Sequence, residues 1–201
     1  MVFEYKDVKI MKNRLLTSKD FKTSKWSGGD TTELFISPEG ARLKEGNFNI
    51  RLSTATVEVE KSVFTKLPSI SRTLVVLDGK MRLEHKGKHV KVLSKFNVDY
   101  FEGDWSTTSY GTCVDFNVMT TNGRASKVTP FSLMERDEVV LQSCIEAEAS
   151  FLYVYKGAID LSIGKERKEL LARNLLVLSK CDVLEIKVLE KSEILLIEVL
   201  K

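Results

Sequence analysis

Arg51 is the residue of this sequence whose position most directly suggests chemistry. It lies in the segment NIRLSTATVEVE, whose alternating residues are typical of a β-strand. Side chains two positions apart share a face of a strand, so Arg51 lies beside Ser53 among small and apolar residues. That face should point into the protein, where an unpaired guanidinium is costly. Arg51 therefore needs either a carboxylate of the chain, with Asp115 and Glu33 as candidates, or an anion from outside.

Asp115 and Asn117 are a second pair of polar residues in an apolar setting. In CVDFNVM (residues 113–119) they share one strand face, while Val114, Phe116 and Val118 share the other. Both faces carry apolar groups, so we expect a strand that is covered on both sides. Its two polar side chains must then be satisfied inside the protein, either as part of a ligand cavity or as internal hydrogen-bonding groups.

A glycine pair follows the first tryptophan of the chain. In KWSGGDTTEL (residues 25–34), Gly28 and Gly29 would let the backbone approach a ligand closely, and Trp26 could form an apolar wall. The segment has no lysine at the position that a phosphate-binding loop requires, and a glycine pair by itself more often marks a turn.

The chain has two histidines, which limits metal and proton-transfer chemistry. His85 and His89 flank Gly87 in LEHKGKHV, so a site with three imidazole ligands is excluded. Neighbouring lysines disfavour a cation, and no carboxylate nearby in sequence could orient either ring for a catalytic triad. We therefore expect a hairpin tip with solvated histidines, with no metal, no cofactor and no catalytic residue assigned.

Composition indicates a globular protein without a nucleic-acid partner. The 201 residues carry a net charge of +3, with charges interleaved along the chain, and this is too weak a balance to favour nucleic acid. Three widely spaced cysteines indicate reduced thiols rather than a disulfide framework. The amino terminus has no continuous apolar run of signal-peptide length, so we expect a cytoplasmic chain that does not bind membranes.

Alternation and short β-branched runs recur along the chain and predict an all-β fold with few, short helices. RTLVVLDGKMRLEHKGKHVKVL (residues 72–93) resembles SFLYVYKGAIDLSIGKERKELL (residues 150–171), with Gly79 matching Gly157 and Gly87 matching Gly164. Such a repeat indicates a duplicated module. We predict a tandem cupin, or bicupin, of two jelly-roll-like β-barrels. The predicted modules are residues 1–119, with the ligand pocket, and residues 120–201.

Five motifs occur in order along the first module: WSGGDTTE (26–33), RLSTA (51–55), PSISR followed by VVLDG (68–79, preceded by Phe64), FEGD (101–104) and DFNVM (115–119). Together they resemble the HutD/Ves family, whose members are described as tandem cupins. The resemblance implies a bicupin without metal that is associated with histidine utilisation, with no established catalysis. This chain departs from the family pattern in the shorter glycine run, in Thr32, and in Ser69 after Pro68.

The resemblance implies a pocket for a small organic acid such as formylglutamate, urocanate or formate. Arginine donors would hold the carboxylate, and neighbouring polar groups would orient it. The residues that we expect to bind it are Trp26, Gly28, Gly29, Thr31, Glu33, Arg51, Ser53, Arg72, Asp115 and Asn117.

Two classes of function stay open at this point. The first is a metabolite sensor, or governor of amino-acid catabolism, that binds a small organic anion. The alternative is a metal-independent, isomerase-like enzyme that uses Glu33 or Asp115 as a general base. The second module could also mediate association, and homodimer formation stays open.

Overall fold

The computed structural model describes residues 13–179 and 182–201, and these residues form an almost entirely β structure. The amino-terminal segment and Cys181 lie outside the described residues, and Cys113 and Cys144 form no disulfide. One short 3₁₀ helix (Leu43–Glu45) occurs in the described part, which contains no helix long and apolar enough to cross a membrane. The all-β prediction with few helices is confirmed.

The strands are β1 (Arg14–Leu16), β2 (Lys22–Trp26), β3 (Gly29–Ser37), β4 (Ile50–Val57), β5 (Lys61–Val63), β6 (Ile70–His85), β7 (His89–Ser94), β8 (Val98–Glu102), β9 (Thr107–Tyr110), β10 (Cys113–Thr121), β11 (Ala125–Leu133), β12 (Glu138–Gln142), β13 (Ala147–Lys156), β14 (Ala158–Ile163), β15 (Glu166–Leu171), β16 (Leu175–Leu178), β17 (Val183–Val188) and β18 (Ser192–Leu200).

Strands β2 to β10 form one nine-stranded sheet that curls back on itself through β6. The main path is β2-β3-β4-β10-β6-β9-β5, and β7 and β8 each pair with β6. The first part of β6 pairs with β10 and β8, and its last part pairs with β7 and β9. Gly79 marks the transition, because its φ is 78° and a Cβ there would lie 2.7 Å from the Thr112 carbonyl oxygen.

The remaining strands form two sheets, one of five strands (β1-β16-β13-β18-β11) and one of four (β12-β17-β14-β15). β1 is distant in sequence from the other four strands of its sheet, yet it pairs antiparallel with β16. β10 ends at Thr121, two residues beyond the predicted division of the chain. The assignment of residues 1–119 and 120–201 to two modules stays a prediction.

An apolar layer joins the nine-stranded sheet to the five-stranded sheet. Phe116 and Phe35 face this layer, and their rings lie 5.2 Å from Tyr153 and 4.9 Å from Phe151. The opposite face of β10 carries Asp115 and Asn117, which are also buried. The prediction that this strand is covered on both sides is confirmed. One face supplies the contact between sheets, and the other lines the interior of the curled sheet.

We expect Phe116→Ala to lower the free energy of unfolding by about 3–5 kcal/mol, because the side chain is fully buried in the layer between sheets. Urea unfolding followed by circular dichroism measures this change. Val63→Ala is the matched control, since Val63 is 72% exposed and its truncation should change the same quantity by less than about 0.5 kcal/mol. Equal effects of the two substitutions would contradict this account of the layer.

Candidate functional site

Strand register brings six of the predicted residues together on the inner face of the nine-stranded sheet. Ser53 of β4 lies opposite Glu33 of β3 on one side and Asn117 of β10 on the other. Arg51 and Arg72 both lie opposite Met119. The group formed by Glu33, Arg51, Ser53, Arg72, Asp115 and Asn117 is called the inner polar cluster below.

Arg51 is paired within the chain. Its Nε donates to Glu33 Oε2 at 2.7 Å, and its Nη1 donates to Ser53 Oγ at 3.0 Å. The Arg51 side chain is 6% exposed and that of Glu33 is 21% exposed, so the carboxylate is the more accessible partner. Of the two carboxylates predicted for Arg51, the structure therefore selects Glu33.

Arg72 is buried and only partly satisfied. Its Nη2 donates to Asn117 Oδ1 at 2.9 Å, whereas its buried Nε has no hydrogen-bond partner. The guanidinium carbon lies 4.8 Å from the ring centroid of Phe64 and 5.0 Å from that of Phe101, within cation–π distance. Burial lowers the pKa of Arg72 to about 10, partly offset by Asp115, so this side chain stays charged at neutral pH.

Asp115 completes the hydrogen-bonded chain behind Arg72. Its Oδ1 accepts from Asn117 Nδ2 at 2.5 Å. Burial raises the pKa of Asp115 to about 7, although Arg72 and Asn117 act in the opposite direction. Near neutral pH the Arg51–Glu33 pair is balanced and Asp115 is about half protonated. The inner polar cluster therefore carries an excess of positive charge that grows as pH falls.

The glycine segment has a packing role in the structure. A Cβ on Gly28 would lie 2.1 Å from a ring carbon of Trp26, and a Cβ on Gly29 would lie 1.9 Å from the Thr56 carbonyl oxygen. Both glycines thus permit the close approach of neighbouring groups. Thr31 lies opposite Ala55 and is half-buried. Among the described residues, no side-chain hydrogen bond or ion pair joins these residues or Trp26 to the inner polar cluster, and their roles in ligand binding stay predictions.

A cavity of about 310 Å³ lies where β4 and β6 begin and β10 ends. Phe48 and Ile70 of its lining pack with Met119 in a small apolar group. The Sδ of Met119 lies 3.9 Å from Arg51 Nη1, so this apolar group contacts the inner polar cluster. The cavity is lined by Gly46, Asn47, Phe48, Asn49, Pro68, Ser69, Ile70, Thr121 and Asn122.

The interpretation of both histidines as solvated is wrong for His85, which is 1% exposed. The alternation of β6 places His85 on the buried face that also carries Met81 and Leu83, and this pattern was the available signal. Asp99, which was not predicted, lies between the two imidazoles. Its Oδ2 is 3.1 Å from Nε2 of His85 and 3.2 Å from Nε2 of His89.

These three residues could hold a metal ion, because one donor atom from each lies within 4.8 Å of the others. His85 Nδ1 forms a hydrogen bond of 2.8 Å with Thr107 Oγ1. The Phe101 ring lies 4.6 Å from the His85 ring and also contacts Arg72. The group of His85, His89 and Asp99 is called the histidine–aspartate group below, and it is separated from the inner polar cluster by one aromatic ring.

We expect the stability of the folded chain to fall as pH rises from about 4 to about 7 through the effect of Asp115. In this interval the folded state keeps a proton on Asp115 that the unfolded state has released, and the limiting slope is about 1.4 kcal/mol per pH unit. Asp115→Asn removes this contribution, so the variant should gain stability relative to the wild type as pH rises. Urea unfolding at several pH values measures the difference, with the exposed Asp104→Asn as control. Parallel curves for wild type and Asp115→Asn would contradict the raised pKa.

Comparison with known proteins agrees with this architecture. A family model described as HutD matches residues 18–196, whereas no curated protein sequence matches the chain.

A conserved protein of unknown function from Pseudomonas aeruginosa PAO1 has a TM-score of 0.80 at 21% identity, with 94% of this chain and 100% of that chain covered. HutD from Pseudomonas fluorescens SBW25 has a TM-score of 0.68 at 19% identity, with coverage of 94% and 98%. The bacterial pirin YhhW from Escherichia coli, in complex with nickel(II), has a TM-score of 0.67 at 11% identity, with coverage of 92% and 98%. The fold is cupin-like, and the chain belongs to the HutD family.

Proposed function

We propose that this chain is a bicupin that binds a small organic anion in its N-terminal barrel and acts as a metabolite sensor, or governor, in histidine catabolism. Membership of the HutD family and the cupin-like fold support the general class. Two groups of strands, each with its own apolar core, support the tandem arrangement. No metal or other cofactor has a part in this function.

The observation that carries the proposal is the unsatisfied guanidinium of Arg72. A buried N–H without a partner costs free energy that a ligand acceptor can recover, and Arg72 Nε is such a donor. A carboxylate oxygen is the acceptor best suited to it, because bonds between guanidinium and carboxylate are charge-assisted. The positive excess of the inner polar cluster favours the same class of ligand.

The surroundings of Arg72 fit a small organic acid. Phe64 and Phe101 pack on the guanidinium and form apolar walls, while Asn117 and Ser53 supply directional hydrogen bonds. The acid would enter from the cavity of about 310 Å³ and displace the apolar group that contains Met119. Formylglutamate, urocanate and formate all present a carboxylate. One structure of HutD from Pseudomonas fluorescens is of a formate condition.

We expect calorimetric titration of the wild-type chain to show binding of at least one of these three acids. Arg72→Ala should weaken that binding by at least about 30-fold, because it removes the charged donor of a buried pair. Arg51→Ala should also weaken binding of the acid, because Glu33 and Ser53 would lose the arginine that holds them in place. Arg82→Ala is the matched control, since Arg82 lies on the same strand but packs on Tyr110 and should leave affinity unchanged.

Circular dichroism of each variant establishes that it is folded before titration. Two results would end the proposal: no binding of any of the three acids to the wild type, or unchanged affinity in a folded Arg72→Ala variant.

We expect affinity for the acid to weaken as pH rises through about 7. Ionisation of Asp115 places a second negative charge near the bound carboxylate, so binding and deprotonation of Asp115 oppose each other. Titrations in buffers of different ionisation enthalpy should show proton uptake on binding near pH 7. Asp115→Asn should bind with an affinity that is independent of pH in this range, and an unchanged pH dependence in this variant would contradict the coupling.

The pKa of Asp115 also favours a second candidate, a metal-independent, isomerase-like enzyme. A general base works best when its pKa is near the operating pH, and burial brings Asp115 to that range. Glu33 is less suited to the role because its carboxylate accepts a hydrogen bond from Arg51. Turnover of a sugar or keto-acid substrate that Asp115→Asn abolishes would support the enzyme over the sensor.

A further inference from the structure

The histidine–aspartate group joins three strands of the curled sheet. β7 and β8 each pair with β6 alone, and β7 carries His89 while β8 carries Asp99. His85, at the end of β6, lies between them. Three side chains from three strands therefore meet at one point.

One ring nitrogen of each histidine faces the Asp99 carboxylate. Oδ2 lies 3.1 Å from His85 Nε2, and His89 Nε2 lies 3.2 Å from both Oδ2 and Oδ1. Oδ1 also accepts from the Tyr100 N–H at 3.1 Å and lies 3.5 Å from Lys91 Nζ. Ligands about 2.0–2.1 Å from a tetrahedral Zn²⁺ ion are about 3.3 Å apart. The two separations between an imidazole nitrogen and the carboxylate are close to this value, and one donor nitrogen from each imidazole lies within 4.8 Å of the other.

Thr107 can support His85 both with and without an ion. In the structure described, His85 Nε2–H can donate to Asp99 while Nδ1 accepts from the Thr107 hydroxyl. If Nε2 binds a metal, Nδ1 carries the proton and donates to the same hydroxyl oxygen, which only has to rotate its hydrogen. A second hydrogen bond of this kind orients metal-binding imidazoles in many proteins.

The group is accessible from one direction. The side chains of His85 and Asp99 are at most 4% exposed, whereas that of His89 is 38% exposed. An ion could enter past His89 and complete its coordination with water from that side. Lys91 is the closest competing cation, but its side chain is 44% exposed and can turn toward solvent.

We propose that His85, His89 and Asp99 form a binding site for a divalent transition-metal ion such as Zn²⁺ or Ni²⁺. Two imidazoles and one carboxylate are a donor set suited to these ions. The site departs from the expectation drawn from the sequence that the chain binds no metal, and it is distinct from the inner polar cluster. The proposal does not depend on anion binding at Arg72.

The chain offers a specific optical test, because it contains two tryptophans and two histidines. Trp105 lies 5.5 Å from the His85 ring and 5.8 Å from the His89 ring, whereas Trp26 contacts the glycine segment. In a Trp26→Phe variant, purified without a histidine tag, added Ni²⁺ should quench Trp105 fluorescence saturably. Calorimetry with Zn²⁺ should give one ion per chain.

We expect His89→Ala to abolish both signals, and Asp99→Asn to weaken Zn²⁺ binding strongly. Thr107→Val should weaken it by ~10-fold or more, as loss of an orienting hydrogen bond does at other metal sites, whereas Lys91→Gln should strengthen it. Asp104→Asn, an exposed acid near Trp105, is the matched control and should bind as the wild type does.

Thermal unfolding without metal checks that each variant is folded. Absence of saturable binding to the wild type, or unchanged binding in folded His89→Ala, would overturn the proposal.

Discussion

Two guanidinium groups on the inner face of one sheet are the constraint on which the N-terminal strands depend. Neither Arg51 nor Arg72 can be buried without acceptors. Ser53 supplies an acceptor from the strand of Arg51 itself, whereas Glu33 and Asn117 supply acceptors from neighbouring strands. This requires β3 to keep its register with β4, and β6 its register with β10. A shift of one residue in any of these strands would turn its polar side chain toward the apolar layer. The polar interior therefore specifies the pairing as strongly as the apolar core does.

The same strands must also satisfy an opposite demand on their outer face. Phe116 and Val118 pack toward the five-stranded sheet, while Asp115 and Asn117, which alternate with them along β10, face inward. Because side chains alternate along a strand, one short segment can serve the contact between sheets and the interior at once. Because burial of the apolar outer face stabilises the sheet, the inner face can contain a buried cation such as Arg72 that lacks a full set of hydrogen-bond acceptors.

Much of the inner polar cluster could be predicted from the sequence, because alternation alone assigns residues to faces. This was sufficient for Arg51, Ser53, Asp115 and Asn117. Glu33 was predicted on a different ground, as one of two acidic residues that could pair with Arg51. It could not show that Arg72 binds Asn117, since that contact depends on the pairing of β6 with β10. The burial of His85 was visible in the period of β6, but the glycine turn and its lysines suggested exposure. Asp99 carried no local signal, because its partners come from other strands.

The pairing of β1 with β16 bears on the order in which the chain can assemble. β1 is synthesised before every other described strand, yet its partner is the last strand but two. Until β16 emerges from the ribosome, β1 has no partner within its sheet, and the contact between them has to offset the entropy lost in closing a long loop of chain. The five-stranded sheet can therefore be completed only late, and its earliest residues act as a closing strand that holds the two ends of the described chain in one structure.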